Sequence, residues 1–176
     1  MDSEGEAVPE IREKKSIASR GVPSDETLYL PAHNSAEIRN FQDKDENITR
    51  NVWSLDEVAN FLFPKKYQPK YYEIALGFIR LLNDKLVVSG EEAAAYVKAN
   101  NISKATFYNR VLPRLRKAGA IKVERETIVA QESRRKFRPM VISLSKTFGN
   151  YLMKIGDSWI AAVDDARSKK QQSKLL

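Results

Sequence analysis

The sequence predicts a mainly α-helical fold with a small β-hairpin, with one extra helix ahead of the core and a long helix after it. Three observations lead there. Two segments open on a capping box, a serine followed three residues later by a glutamate, ahead of apolar residues at helical spacing. These pairs are Ser54 with Glu57 and Ser89 with Glu92. Residues 103–121, SKATFYNRVLPRLRKAGAI, combine a helix-start serine, an apolar stripe, five basic side chains off that stripe and a glycine stop. Beyond them, two runs of alternating character flank a cluster of cations, the pattern of two strands joined at a basic tip.

Composition narrows the functions this scaffold can perform. A chain of 176 residues that is 42% hydrophobic holds one modest core plus extensions. It has no cysteine, which excludes disulfides, thiolate metal sites and cysteine nucleophiles. Its single histidine, His33, lies in a polar stretch, so histidine zinc sites and serine–histidine–carboxylate catalysis lack raw material. No phosphate-cradling glycine loop is present, and no carboxylates are paired in a catalytic motif, so the reading is not an enzyme, with no cofactor and no metal. No run of about 18 apolar residues suggests a membrane span. The acidic, polar start is unlike a signal peptide, and the expectation is a soluble, cytoplasmic, nucleoid-associated protein.

The formal charge of +7 hides an asymmetry. Residues 1–63 carry 7 basic and 13 acidic side chains, net −6, whereas residues 64–146 carry 18 and 7, net +11. Residues 147–176 add only +2. A block of positive charge in the middle of the chain implies a polyanionic partner.

The elements come in order along the chain. Residues 1–50 mix Ser, Glu, Lys, Pro and Asn without apolar periodicity and read as a disordered acidic arm. Order is expected to begin near Trp53. The Ser54 capping box opens a helix with Leu55, Val58, Phe61 and Leu62 at helical spacing, Pro64 ends it, and Trp53 and Phe61 are expected to pack it onto the domain C-terminal to it. Pro69 suits a first helical turn. The helix it opens runs to about Asn83 with Tyr72, Ile74, Ala75, Phe78, Ile79 and Leu82 mostly on one side. Leu86, Val87 and Val88 make a short strand. The Ser89 capping box opens a helix to about Ala99, and Asn100 with Asn101 turns the chain, since asparagine tolerates left-handed backbone angles.

Ser103 then caps the basic helix, residues 104–118. Phe107 or Tyr108, with Val111, Leu112 and Leu115, forms its buried stripe. Lys104, Arg110, Arg114, Arg116 and Lys117 lie off that stripe. Pro113 removes a hydrogen bond to the Asn109 carbonyl and should kink a helix that nonetheless continues. Gly119 falls just past its end. Residues 120–130 and 137–144 are the two strands, and residues 131–138 with Arg134, Arg135, Lys136 and Arg138 are the charged tip.

A last helix spans residues 146–167, with Phe148, Tyr151, Leu152, Ile155, Trp159, Ala162 and Val163 on one stripe. Gly149 and Gly156 weaken it by about 1 kcal/mol each relative to alanine, so it needs packing to persist. Packing on its own domain is one option. Pairing with a second copy, through Phe148, Leu152, Ile155, Trp159 and Val163, is preferred, because the stripe is long and lies outside the core. Residues 168–176 read as a frayed, disordered tail.

This order of elements resembles the winged helix-turn-helix family over roughly residues 69–145. The parts that carry the resemblance are Val87 and Val88 before the capped helix, Ser103 with Thr106, the exit from Leu115 through Gly119 to Ile121, and the cations from Arg134 to Arg138. The resemblance implies a third helix that enters the major groove of DNA and a hairpin, the wing, that contacts backbone or minor groove. Lys104, Thr106, Asn109, Arg110 and Arg114 then become groove-facing candidates, with Lys117 on phosphate, and Arg134, Arg135, Lys136 and Arg138 become wing contacts. Pro113 inside the reading helix and the length of the hairpin depart from the family pattern. Arginine pairs in bidentate fashion with guanine and asparagine with adenine, so Arg110 and Asn109 suit base reading. The lysines and wing cations suit phosphates, which position a protein without carrying sequence information.

The expectation is therefore a double-stranded DNA-binding homodimer of residues 51–145 plus the last helix, a sequence-specific transcription regulator. The alternatives are an architectural, replication or partition protein of low sequence selectivity, and a protein-docking module of the transcription or replication machinery.

Overall fold

The structure is a computed structural model that describes residues 28–30, 32–33, 41–125, 128–129, 136–137 and 139–172. It is mainly helical, with a small three-stranded antiparallel sheet. Helices α1 (Leu55–Leu62), α2 (Pro69–Lys85) and α3 (Gly90–Ala99) precede the basic helix, and strand β1 (Val87–Ser89) lies between α2 and α3. The basic helix has three continuous parts: α4 (Lys104–Thr106), a π-helical turn (Phe107–Val111) and α5 (Leu112–Ala118). Strands β2 (Ile121–Arg125), β3 (Ile128–Val129), β4 (Lys136–Phe137) and β5 (Met140–Leu144) come next, and then α6 (Thr147–Gln172).

Both expected capping boxes form. Ser54 Oγ accepts from the Glu57 amide while the Glu57 carboxylate accepts from the Ser54 amide, and Ser89 and Glu92 do the same for α3. Each satisfies backbone donors that a helix start leaves without partners, a gain of about 1 kcal/mol. The Lys85 ammonium at the end of α2 also donates to Glu92, at 2.6 Å. That cation, more than the amide of Ser89, holds the Glu92 carboxyl below its ordinary range. Asn101 takes a left-handed φ of 52°, as an asparagine turn allows.

The sheet has the order β1–β5–β2, with β5 central. Val88 and Val123 flank Ile142 in register, and the long β2–β5 hairpin continues into the β3–β4 pair. Val88, Ile121 and Ile142 turn inward to join the helices in one core. At its centre Phe78 of α2, Tyr96 of α3 and Phe107 of the basic helix form an aromatic triangle. Phe78 and Phe107 meet edge to face at 4.9 Å between centroids, and the Tyr96 hydroxyl donates to the Ile74 carbonyl. Half-buried Tyr96 sits over Gly77, where an added Cβ would fall 2.6 Å from the hydroxyl oxygen, so this close approach needs glycine.

Several expectations are corrected. Helix α1 enters the core through Ala59 and Leu62, with Phe63 just beyond its end, while Trp53 and Phe61 form a stacked, half-buried pair beside it. The arm of residues 1–50 is not structureless throughout. Leu28 packs against the core, the Tyr29 ring meets Tyr67 edge to face, its amide donates to the Phe61 carbonyl, and Gln42 bridges Ile48. The last helix runs to Gln172, past the boundary expected at residue 167. Residues 1–27, 31 and 34–40 of the expected arm, and 173–176 of the expected tail, lie outside the described residues.

Candidate nucleic-acid interface

The basic helix is held on one side by the core. Phe107, Val111, Leu112 and Leu115 are buried, and Tyr108 is half-buried. Pro113 does not interrupt it. A proline there has no amide hydrogen to give the Asn109 carbonyl, and its ring would crowd that carbonyl. The chain responds with one π turn directly before the proline, in which the Leu112 amide donates to the Phe107 carbonyl five residues back. Widening the helix at this turn lets the proline enter the next segment as one of its first residues, where no amide donor is needed. Ser103 occupies the cap position but makes no side-chain cap hydrogen bond.

The helix ends as expected. Gly119 is the one glycine at positive φ among the described residues, at 80°. The Gly119 amide donates to the Arg116 carbonyl and the Ala120 amide to the Leu115 carbonyl, the paired bonds of a Schellman motif. The Gly119 carbonyl accepts from the Phe148 amide, which ties the exit of the basic helix to the start of α6. A Cβ on Gly119 would lie 3.1 Å from Thr147 Cγ2.

The outward side carries Lys104, Asn109, Arg110, Arg116 and Lys117, all exposed, with Thr106 half-buried. Arg116 is an exposed cation on this helix that sequence spacing puts off the stripe but that was not among the expected groove-facing residues. Arg114 is the correction in the other direction. Expected to face a groove, it is only 6% exposed. Its guanidinium lies over the Phe63 ring at 5.1 Å and donates to Gln68 Oε1 at 2.9 Å. The reason is spacing: Arg114 stands seven residues after Phe107 and three after Val111, which is the buried side of the helix. It ties α5 to the segment between α1 and α2 and is not available to a ligand.

The expected wing is described only in part. Lys136 lies in β4, in register with Val129. Arg134, Arg135 and Arg138, and the side chain of Lys136, lie outside the described residues.

Helix α6 departs from the domain after its first turn. Phe148 is half-buried against the core, so this member of the expected dimerisation set is engaged within its own chain. Leu152, Ile155 and Trp159 are exposed, and Val163 is half-buried. An Arg167–Glu46 ion pair at 2.7 Å links the helix to the segment before α1. That pair is exposed at both ends and contributes little to stability. Among the described residues no cluster of metal-ligating side chains occurs and no helix is long and apolar enough to cross a membrane. No family model, curated protein or solved structure matches this chain.

Proposed function

We propose that the chain binds double-stranded DNA as a homodimeric winged helix-turn-helix protein and regulates transcription, with helix 104–118 in the major groove and the basic hairpin tip against the backbone. The observation that carries this reading is the two-sidedness of that helix. Four buried apolar residues anchor it, while four exposed cations (Lys104, Arg110, Arg116 and Lys117) and the exposed Asn109 face outward. A helix anchored along one side presents the other as a rigid reading surface, and an α-helix fits the major groove.

Supporting features come from the surroundings. The element order, with α3 and the basic helix joined at Asn100–Asn101 and the sheet in the order β1–β5–β2, suits a winged-helix arrangement. The surplus of positive charge lies in residues 64–146, which hold both the helix and the hairpin. In this reading Arg110 and Asn109 contact base edges, and Lys104, Arg116 and Lys117 contact phosphates. Helix α6 provides the contact between copies through Leu152, Ile155 and Trp159.

Selection of bound sequences from a random duplex pool tests the reading. An enriched inverted repeat that loses preference at one base pair in Arg110→Ala is the expected result. Binding without enrichment assigns the protein an architectural role, and no binding leaves the basic face as a protein-docking surface.

A further inference from the structure

Helix α6 presents an apolar side that the other described residues do not cover. Trp159 is 70% exposed, Tyr151 64% and Ile155 50%, and these three line one shallow groove along the helix, with exposed Leu152 beside them. Such a stripe on a projecting helix marks an interaction surface. Gly149 and Gly156 stand seven residues apart on this helix. Neither has a positive φ, and a Cβ added to either meets nothing within 4 Å. Within one protomer alanine would serve better at both places. A glycine does serve where a second helix approaches closely.

The charges indicate which helix that is, and in which direction it runs. Residues 147–153 carry no charge, Lys154 and Asp157 come next, Asp164 and Asp165 follow, and Arg167, Lys169 and Lys170 crowd the last turns. Two copies side by side in the same direction would put the two basic ends together. Two copies in opposite directions put each basic end against the uncharged first turns, where Tyr151 offers an aromatic face to a cation, and they oppose the two helix dipoles.

We propose that α6 pairs with α6 of a second copy in antiparallel fashion, crossing near Trp159 with Gly156 at the close approach. This rests on the homodimer reading above and adds its geometry. At a crossing on Trp159, Gly156 of each copy falls level with Ala162 of the other, two small residues where the backbones approach, and Ile155 falls level with Val163. The domains attach at the first turns of α6, so they sit at opposite ends of the pair. A helix of 26 residues spans roughly 39 Å. That length is of the order of the roughly 34–36 Å between successive major-groove sites on one side of DNA.

The chain lacks cysteine, so single labels can be placed in the full-length protein without removing native thiols. Ser158→Cys and Ser168→Cys, both at exposed positions, carry spin labels for dipolar distance measurement, with mass followed by sedimentation. The expected result is a dimer with the 158 labels within about 20 Å of each other and the 168 labels roughly 30 Å apart, from the rise per residue and the usual interaxial distance. Short distances for both pairs would mean a parallel pair and overturn the antiparallel geometry while the dimer stands. A dimer with neither pair close would place the interface away from α6. A monomeric mass with no dipolar coupling would remove the dimer itself. Gly156→Ala should weaken self-association at least about tenfold. Unchanged self-association in that variant, with only a more stable helix, would overturn the close approach.

Discussion

Arg110 and Arg114 stand four residues apart on one helix, yet the structure gives them opposite environments. Arg110 is exposed, and Arg114 is enclosed by the Phe63 ring and the Gln68 amide. Their alanine variants should separate cleanly. Arg114→Ala should lower stability by about 1–3 kcal/mol, because it removes buried packing and a charged hydrogen bond. Arg110→Ala should leave the melting temperature nearly unchanged and cost about 1–3 kcal/mol of DNA affinity. Calorimetry alongside DNA titration checks both, and a stable Arg114→Ala with lost DNA binding would place that residue at the interface after all. A stripe anchored on Val111, Leu112 and Leu115 leaves five basic residues off it. Anchored on Phe107, the same spacing puts Arg114 inside. That ambiguity between Phe107 and Tyr108 cannot be lifted locally, since it depends on Phe78 and Tyr96, which approach from two other helices.

Elements were legible where chemistry at their ends is local. The capping boxes at Ser54 and Ser89, the asparagine turn and the Gly119 stop all depend on residues within one turn, and all form at the expected positions. Gly119→Ala should destabilise the protein by about 1 kcal/mol or more, since the left-handed backbone disfavours a Cβ and Thr147 stands in its way. Chemical denaturation measures this, and a neutral substitution would show that the exit turn relaxes freely. The α3 capping box makes stability depend on pH. Glu92 has its carboxyl held below the ordinary value near 4.5, by Lys85 first and then by the Ser89 amide. A carboxyl lowered on folding stabilises the fold above its unfolded value, and that contribution fades as pH falls through the lowered folded value. Glu92→Gln should therefore lower stability at neutral pH and leave it nearly unchanged at the acid end, so that the profile flattens below about pH 4.5. An acid limb as steep as before would move the titration to another group. The response to Pro113 was less legible. A missing amide signals a disturbance, but whether the chain kinks or widens into a π turn depends on the core holding both halves of the helix.

At the level of the whole molecule, the charge division and a long last helix were visible in the sequence, while the end of α6 at Gln172 and its projection were not. Its stripe fitted either packing on its own domain or pairing between copies, and the exposure of Tyr151, Ile155 and Trp159 is seen only in the structure. The proposed function depends on the basic helix as a reader of duplex DNA. Binding of the full-length protein to duplex DNA across a salt series tests this most directly. A helix held in the groove by phosphate contacts requires affinity that falls steeply with salt, each contact adding about 0.9 to the log–log slope, and a slope shallower by about 1 in Arg116→Ala. No binding at low salt, or binding with the same slope after the exposed cations of helix 104–118 are removed, would contradict it.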